Sequence, residues 1–194
     1  TKCRAQGRRV TTLGWYNEDN WHVCTCPQCT APITCPDGTA LKSDGFSDYH
    51  RMAPQERVYR STQFYMFANK LADGLHAACP GVQLDTLAYF FMEVPPKVNI
   101  SPYLTWQYAP LYVRNSYAMP TYGPQNRWTY QHWTDLVRLG GRMRLYEYYY
   151  TTPAEVMKED IRCYTEGGCE MIGSEKEASR PLFIQDQWCY PRLC

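Results

Sequence analysis

Short apolar runs alternate with helix-like segments along this chain, and this alternation constrains the fold more than any other feature. The sequence predicts strands over 10–15, 82–94, 111–117, 142–150 and 169–174, and helices over 54–79, 125–139 and 153–166. Strands that alternate with helices through short loops pack as parallel βαβ units. We therefore expect an α/β fold, a partial (β/α) barrel of about four to five parallel strands, or about half of an eight-stranded barrel.

The third helix has the clearest start signal in the sequence. Thr152 is a candidate N-cap, Pro153 occupies the first helical position, and Glu155 lies three residues after Thr152. This arrangement is typical of a capping box. Gly167 and Gly168 are expected to end the helix.

Length and charge limit the classes of function that fit. The chain has 194 residues and a formal net charge of +1, with Lys and Arg scattered rather than grouped in a basic stripe. We expect one domain over 1–194, with a barrel-like core at about 10–176 and a cysteine-bearing tail over 177–194. Because it opens at Thr1 without a signal peptide, we expect a processed chain or part of a longer one. Nucleic acid is not an expected partner, and no apolar run is long enough to predict a membrane span.

Cysteine is the second unusual feature, since the chain contains 10 cysteines. In an oxidising compartment such a number indicates disulfides, so the sequence predicts an extracellular, disulfide-stapled protein. The cysteines expected to pair are Cys3, Cys24, Cys26, Cys29, Cys35, Cys79, Cys163, Cys169, Cys189 and Cys194. Cys163 with Cys169, and Cys189 with Cys194, are short-range candidates.

The cysteines at 24, 26 and 29 have a second interpretation. Their spacing could hold a metal, with His22 nearby, but a closed structural zinc site needs four ligands. Disulfides are the favoured interpretation here, and we expect no metal and no cofactor. Asn99 begins an Asn-Ile-Ser sequon and is a candidate glycosylation site, although Pro102 follows it directly.

Four motifs in order carry a resemblance to a known family. The run NEDNW at 17–21 precedes the C-x-C-x-x-C pattern at 24–29, and VQLDTLAY at 82–89 precedes Pro95 and Pro96. The run LYEY follows at 145–148, and a further strand ends at Glu175. Together they resemble a family of unknown function grouped with TIM-barrel glycoside hydrolases.

The resemblance covers residues 13–176 and implies a (β/α) barrel in a carbohydrate context. Two departures stand out. The family's N-terminal strands are absent, and its helical tail is replaced by a short cysteine-bearing end over 181–194.

Carboxylates lie where the predicted strands end, which is where a barrel places its chemistry. These are Glu18, Asp19, Glu93, Glu147 and Glu175. Glycoside hydrolysis needs two carboxyl groups that flank the scissile bond. Because their predicted strands are adjacent, Glu147 and Glu175 are the favoured catalytic pair, with Glu18 and Asp19 as substrate-binding candidates. The alternative is a set of solvated or ion-paired carboxylates.

Aromatic rings are abundant, with 17 Tyr and 6 Trp, and flat rings pack on the C–H faces of sugars. Trp15, Tyr89, Trp106 and Tyr148 are the candidates for a sugar-binding groove. Most of the other rings are expected in the core. Asp85 and His132 are both expected to be structural.

Half a barrel leaves two open sheet edges and an uncovered inner face. Three explanations are open: the chain is a segment of a longer protein, it pairs with another copy, or its loops cover these surfaces. The sequence predicts an extracellular carbohydrate-active or carbohydrate-binding domain. The alternative is a non-enzymatic subunit of an extracellular, glycosylated fibre or matrix, and a barrel fold alone does not decide between them.

Overall fold

The computed structural model of the chain describes residues 10–17, 20–110, 123–149 and 152–174. The strands are β1 (Thr12–Gly14), β2 (Ile33–Thr34), β3 (Ala40–Leu41), β4 (Gln83–Ala88), β5 (Ile100–Tyr108), β6 (Gly140–Glu147) and β7 (Ile172–Ser174). The helices are α1 (Pro54–Ala78), α2 (Gly123–Leu139) and α3 (Ala154–Glu166), with 3-10 turns at Tyr49–Arg51 and Phe90–Glu93.

Five strands form one parallel sheet in the order β1-β4-β5-β6-β7, which curls into half a barrel. The predicted partial barrel is therefore confirmed. Both edge strands have only three residues. The remaining two strands, β2 and β3, form a separate antiparallel pair in the loop that precedes α1.

One face of the sheet packs against the helices and forms the apolar core. Successive strand residues point to opposite faces, and on this face lie Leu84, Ala88, Leu104, Trp106, Tyr108, Met143 and Leu145. They pack with Tyr65 and Ala68 of α1, Leu136 of α2 and Tyr164 of α3. The core thus fixes the three helices relative to the strand ends.

The opposite face of the sheet is polar, unlike the apolar interior usual for this architecture. Asp85 accepts hydrogen bonds from the Tyr16 hydroxyl and from Gln107 Nε2, both at 2.5 Å, and lies 3.7 Å from Arg144 Nη1. Gln83 Oε1 accepts from Thr105 Oγ1 at 3.0 Å and from Arg142 Nη1 at 2.8 Å. Asp85 therefore joins three strands by side-chain bonds, which agrees with the structural role expected for it.

The central strand β5 is missing from the sequence prediction because it contains Pro102. Proline cannot donate to a strand ladder and is normally confined to edges and bulges. In the structure the pairing of β5 with β6 shifts register between Ile100 and Thr105, so that Pro102 lies in an irregular stretch. The strand predicted over 111–117 lies outside the described residues.

Two predicted boundaries differ from the structure. The strand expected over 82–94 ends at Ala88 and is followed by the 3-10 turn, where Phe90 has a φ of +54°. The capping box is wrong, since α3 begins at Ala154 with Pro153 as N-cap and no side-chain capping bond. Thr152 Oγ1 is buried and has no hydrogen-bond partner among the described residues.

In the described ranges, no helix is both long and apolar enough to cross a membrane.

Candidate active site at the carboxyl edge of the sheet

Two carboxyl groups and a tyrosine lie at the edge where three neighbouring strands end. Glu93 closes the 3-10 turn that follows β4, Tyr108 is the last residue of β5, and Glu147 is the last residue of β6. Because the sheet order is β4-β5-β6 and all three strands are parallel, these residues lie at one edge. Burial raises the pKa of the Tyr108 hydroxyl, and the charges of Glu93 and Glu147 raise it further.

Glu147 is fully buried at this edge. Its Oε1 accepts a hydrogen bond from the Tyr164 hydroxyl at 3.1 Å, and its Oε2 accepts from the Tyr148 N–H at 3.1 Å. Burial, reinforced by the nearby charge of Asp160, raises the pKa of Glu147 to about 8, although both hydrogen bonds act in the opposite direction. The carboxyl group therefore holds a proton at neutral pH.

Glu93 is also buried, with 1% of its surface exposed, and it receives fewer hydrogen bonds than Glu147 does. Neither carboxylate oxygen has a hydrogen-bond partner among the described residues. Burial raises its pKa well above the usual value, and the charge of Glu147 adds to that rise. The Phe90 N–H and the Arg57 charge oppose the shift in the pKa. That N–H does not reach hydrogen-bond geometry with either carboxylate oxygen, so its opposition to the shift is weak.

The turn that carries Glu93 is itself strained. Phe90 is buried with a φ of +54°, a backbone conformation that side-chain-bearing residues rarely adopt. Such strain costs about 1–3 kcal/mol and persists where surrounding structure enforces it, often at functional sites. The strained residue and the unsatisfied carboxyl group are only three positions apart.

The tyrosines around the two carboxyl groups have hydroxyls that are already engaged. Tyr65 donates to the Met92 carbonyl at 3.1 Å and Tyr108 to the Thr129 carbonyl at 3.0 Å. Burial raises the pKa of both hydroxyls, so they stay neutral. The Tyr164 hydroxyl, by contrast, donates to Glu147. The environment thus favours the protonated form of at least one of them.

Positive charge reaches the site from Arg57 of α1. Arg57 lies 4.4 Å over the Tyr49 ring and donates through Nη2 to the Tyr49 carbonyl at 3.2 Å, while its Nε has no described partner. His132 of α2 is partly buried, and burial lowers the pKa of its imidazole, with the Arg57 charge acting in the same direction. The structural role expected for His132 stays a prediction.

The pairing of Glu147 with Glu175 stays a prediction. Glu175, Glu18 and Asp19 lie outside the described residues. Glu93, which the sequence identifies as a strand-end carboxylate only, is the described carboxyl group whose pKa Glu147 raises. In the sequence, Glu93 is marked by its position just before Pro95 and Pro96. The strand predicted over 82–94 does not include the turn that follows Ala88 in the structure.

The aromatic candidates separate into core and surface residues. Trp106 is fully buried in the core, where its indole donates to the Gly140 carbonyl at 3.0 Å, so no ring face is free for a sugar. Trp15 is half-buried and stacks on Phe64 at 5.2 Å. Tyr89 and Tyr148 are half-buried beside Phe90 and Glu147, respectively.

One exposed ring near the site is absent from the binding candidates that the sequence predicts. Trp21 is 44% exposed and lies 6.4 Å from the Phe90 ring and 5.5 Å from the His50 ring. Its position in the NEDNW run was the available signal. The Tyr49 N–H bonds the Trp21 carbonyl at 2.9 Å, which fixes this segment beside the site.

The cysteines and the sequon are placed as follows. Seven cysteines are described, namely Cys24, Cys26, Cys29, Cys35, Cys79, Cys163 and Cys169, and all seven are free thiols in this structure. The sulfurs of Cys24, Cys26 and Cys29 lie within 4.8 Å of one another. Cys3, Cys189 and Cys194 lie outside the described residues. Asn99 is exposed, and the hydroxyl of Ser101 in its sequon donates to Asp73 at 2.6 Å.

The comparisons with known proteins identify a family. No curated protein and no solved structure gives a significant match to the chain. A family model matches residues 9–188, which is most of the chain and includes every element of the parallel sheet. The chain therefore belongs to the family described as "Domain of unknown function (DUF4838)".

Proposed function

We propose that this chain is an extracellular carbohydrate-active domain whose site is the carboxyl edge of the sheet. In this proposal Glu147 is the proton donor and Glu93 is the second carboxyl group. The observation that carries it is a pair of buried carboxyl groups at the ends of parallel strands, one of which has its pKa raised to about 8.

Glycoside hydrolysis requires that one carboxyl group of the pair is protonated. The general acid must hold a proton at working pH, and burial is the usual means by which its pKa is raised. Glu147 meets that requirement. The motif order that resembles a family grouped with glycoside hydrolases supports the same chemistry, and the position of these residues matches where barrels place theirs.

In this proposal, aromatic rings at the same edge of the sheet contact the sugar. Trp21 offers an exposed indole next to Phe90, and Tyr148 directly follows Glu147. Both carboxyl groups lie beneath the surface, so the proposal requires substrate to displace side chains that cover them. Trp15 and Tyr89 extend the aromatic surface, whereas Trp106 has no part in it.

Hydrolysis of a glycan panel by wild type, Glu147→Gln and Glu93→Gln tests the proposal. Removing a general acid lowers rates by about 10²–10⁴-fold, so both variants should lose activity while they remain folded by circular dichroism. Glu170→Gln is the matched control, because Glu170 is an exposed carboxylate paired with Arg142. Full activity of Glu147→Gln would remove the proposed role, as would a wild type that neither cleaves nor binds any glycan.

An extracellular location is part of the proposal. The 10 cysteines and the exposed Asn99 support it. Expression through a eukaryotic secretory route should yield a chain whose mass falls on deglycosylation, and Asn99→Gln should abolish that fall. Failure of the chain to be secreted in folded form would contradict the location.

The open sheet favours a second candidate, a structural subunit of an extracellular fibre or matrix. Within the described residues β1 and β7 each have a neighbouring strand on one side only. Such edges recruit further strands. Sedimentation at micromolar concentration discriminates, because a subunit of this kind should associate with rising concentration, whereas a stable monomer contradicts it.

A further inference from the structure

We infer that Cys24, Cys26 and Cys29 form a three-thiolate site for a divalent metal of the zinc class. In this site the fourth coordination position is left to water or to another small ligand. The inference is independent of the carbohydrate proposal, and it departs from the disulfides, and from the absence of a metal, that the sequence predicts.

The spacing of the three sulfurs is close to that of a metal site. All three Sγ atoms lie within 4.8 Å of one another. In a tetrahedral zinc site with Zn–S bonds of about 2.3 Å, neighbouring sulfurs are about 3.8 Å apart. A contraction of about 1 Å at most therefore brings the thiols to bonding distance of one ion. Disulfides among them can join only two of the three and leave one sulfur over.

The main chain of the loop is held in place without using the sulfurs. Arg60 Nη1 donates to the carbonyls of Cys24 at 3.2 Å and Cys29 at 2.8 Å. The Cys29 carbonyl also accepts from the Tyr59 hydroxyl and from Gln63 Nε2, both at 3.2 Å. Thr30 bonds the Cys26 carbonyl through its N–H at 3.1 Å and its hydroxyl at 3.0 Å.

This clamp is itself rigid. Arg60 is 3% exposed and pairs with Glu56 at 2.6 Å on the same helix. Tyr59, Arg60 and Gln63 of α1 thus fix the loop, and the thiols are left as its unused functional groups. Pre-organised ligands of this kind are what distinguishes a metal site from a chance cluster.

Access and chemistry are consistent with this site. Cys24 and Cys29 border an open groove of about 260 Å³ that also contacts Gln63 and Phe67. His22, close in sequence, is not part of the cluster of described ligand groups. As each Zn–S bond forms, the thiol releases its proton to solvent, and nothing is oxidised. Thiolate ligands select zinc and similar ions over magnesium or calcium.

Titration of the whole chain with Co²⁺ after reduction by a phosphine tests the inference. We expect one ion per chain, a sulfur-to-cobalt charge-transfer band with tetrahedral d–d bands, and displacement by Zn²⁺. Cys26→Ser should weaken Zn²⁺ binding by at least about 10–100-fold, the loss usual for even an outer-shell partner. Cys24→Ser, at an exposed position, provides a second variant should Cys26→Ser not fold.

Cys79→Ser is the matched control, because Cys79 is a free thiol outside the cluster. It should bind Co²⁺ as wild type does. A reduced wild type that shows no charge-transfer band would overturn the inference. So would equal Zn²⁺ affinity in Cys26→Ser and wild type, or an equal loss of affinity in Cys79→Ser. None of these readouts depends on glycan hydrolysis, so the two proposals fail separately.

Discussion

Two glutamates in this chain are equally buried, but they differ in the hydrogen bonds that they receive. Glu56, on α1, and Glu93, at the carboxyl edge of the sheet, are each 1% exposed. Glu56 accepts from Ser43 Oγ at 2.8 Å, from the Asp44 N–H at 2.7 Å and from Arg60 Nε at 2.6 Å. Neither oxygen of Glu93 has a described hydrogen-bond partner.

The contrast shows that this fold can supply a buried carboxylate with several hydrogen bonds, as it does at Glu56. Buried polar groups are nearly always hydrogen-bonded, so each exception needs a reason. Around Glu56 the bonds join α1 to the loop that holds the cysteines. Around Glu93 the missing bonds coincide with the strained Phe90 and with a second buried carboxyl group, Glu147. We interpret the first as structural and the second as functional.

The largest expected effect is at the satisfied glutamate. Glu56→Gln leaves the buried Arg60 guanidinium without its counter-charge, and breaking such a pair costs about 3–5 kcal/mol. Urea unfolding should show this loss in the free energy of unfolding. Asp135→Asn, which removes an exposed partner of Arg138, is the control and should cost less than about 0.5 kcal/mol. Equal losses in the two variants would refute the structural interpretation of Glu56.

The next effect is a pH dependence at the carboxyl edge. The pKa of Glu147 is raised to about 8 in the folded chain, so the native state binds a proton that the unfolded chain releases above about 4.5. The stability present at low pH is therefore lost as pH rises through that window. The loss is about 1.4 kcal/mol per pH unit, or about 2–3 kcal/mol between about pH 5 and pH 7.

Glu147→Gln, which stays neutral, isolates this contribution. All other ionisable groups are common to both proteins, so the quantity to measure is the difference in unfolding free energy between wild type and variant across pH. Relative to wild type, the variant should gain stability as pH rises. Parallel curves would mean that Glu147 is ionised in the native state.

A smaller effect comes from the Tyr164 hydroxyl, which donates a hydrogen bond to Glu147. Tyr164→Phe removes a hydrogen bond that favours the charged carboxylate, so the pKa of Glu147 should rise further. The loss of stability should be about 0.5–1.5 kcal/mol. Tyr65→Phe is the matched control, because its hydroxyl donates to the Met92 carbonyl instead. Both variants should lose stability, but only Tyr164→Phe should move the pH midpoint assigned to Glu147.

The sequence predicts the sheet better than it predicts this edge. Periodicity locates α1 to within one residue at its C-terminal end and also identifies β1, β6 and β7, since these elements follow local rules. It omits β5, because Pro102 is tolerated there only through a register shift that no local pattern reveals. It extends β4 through the residue that turns the chain, Phe90, where a φ of +54° contradicts the strand propensity of its neighbours.

Site assignment by sequence meets the same limit. The pairing of Glu147 with Glu175 stays a prediction, because Glu175 lies outside the described residues. Glu93 is predicted at the end of a strand, whereas in the structure it ends the 3-10 turn that follows β4. Trp106, on the missing strand, was assigned to a groove although it packs under Gly141, where an added Cβ would lie 2.9 Å from the indole. Burial of individual carboxyl groups is a tertiary property, and no spacing rule gives it.

The smallest expected effect, and the sharpest for the comparison, is at the unsatisfied glutamate. Glu93→Gln makes the same chemical change as Glu56→Gln at the same degree of burial. Because burial raises the pKa of Glu93 well above its usual value, the native side chain keeps its proton to higher pH than the unfolded chain does. At about pH 5 the variant should therefore lie within about 1 kcal/mol of wild type in urea unfolding, since no buried charge pair is broken. At higher pH it should become the more stable protein, because wild type alone then loses stability by ionising in the unfolded state. A loss of about 3–5 kcal/mol at both pH values would mean that Glu93 is held charged by a partner, and the distinction between the two glutamates would disappear.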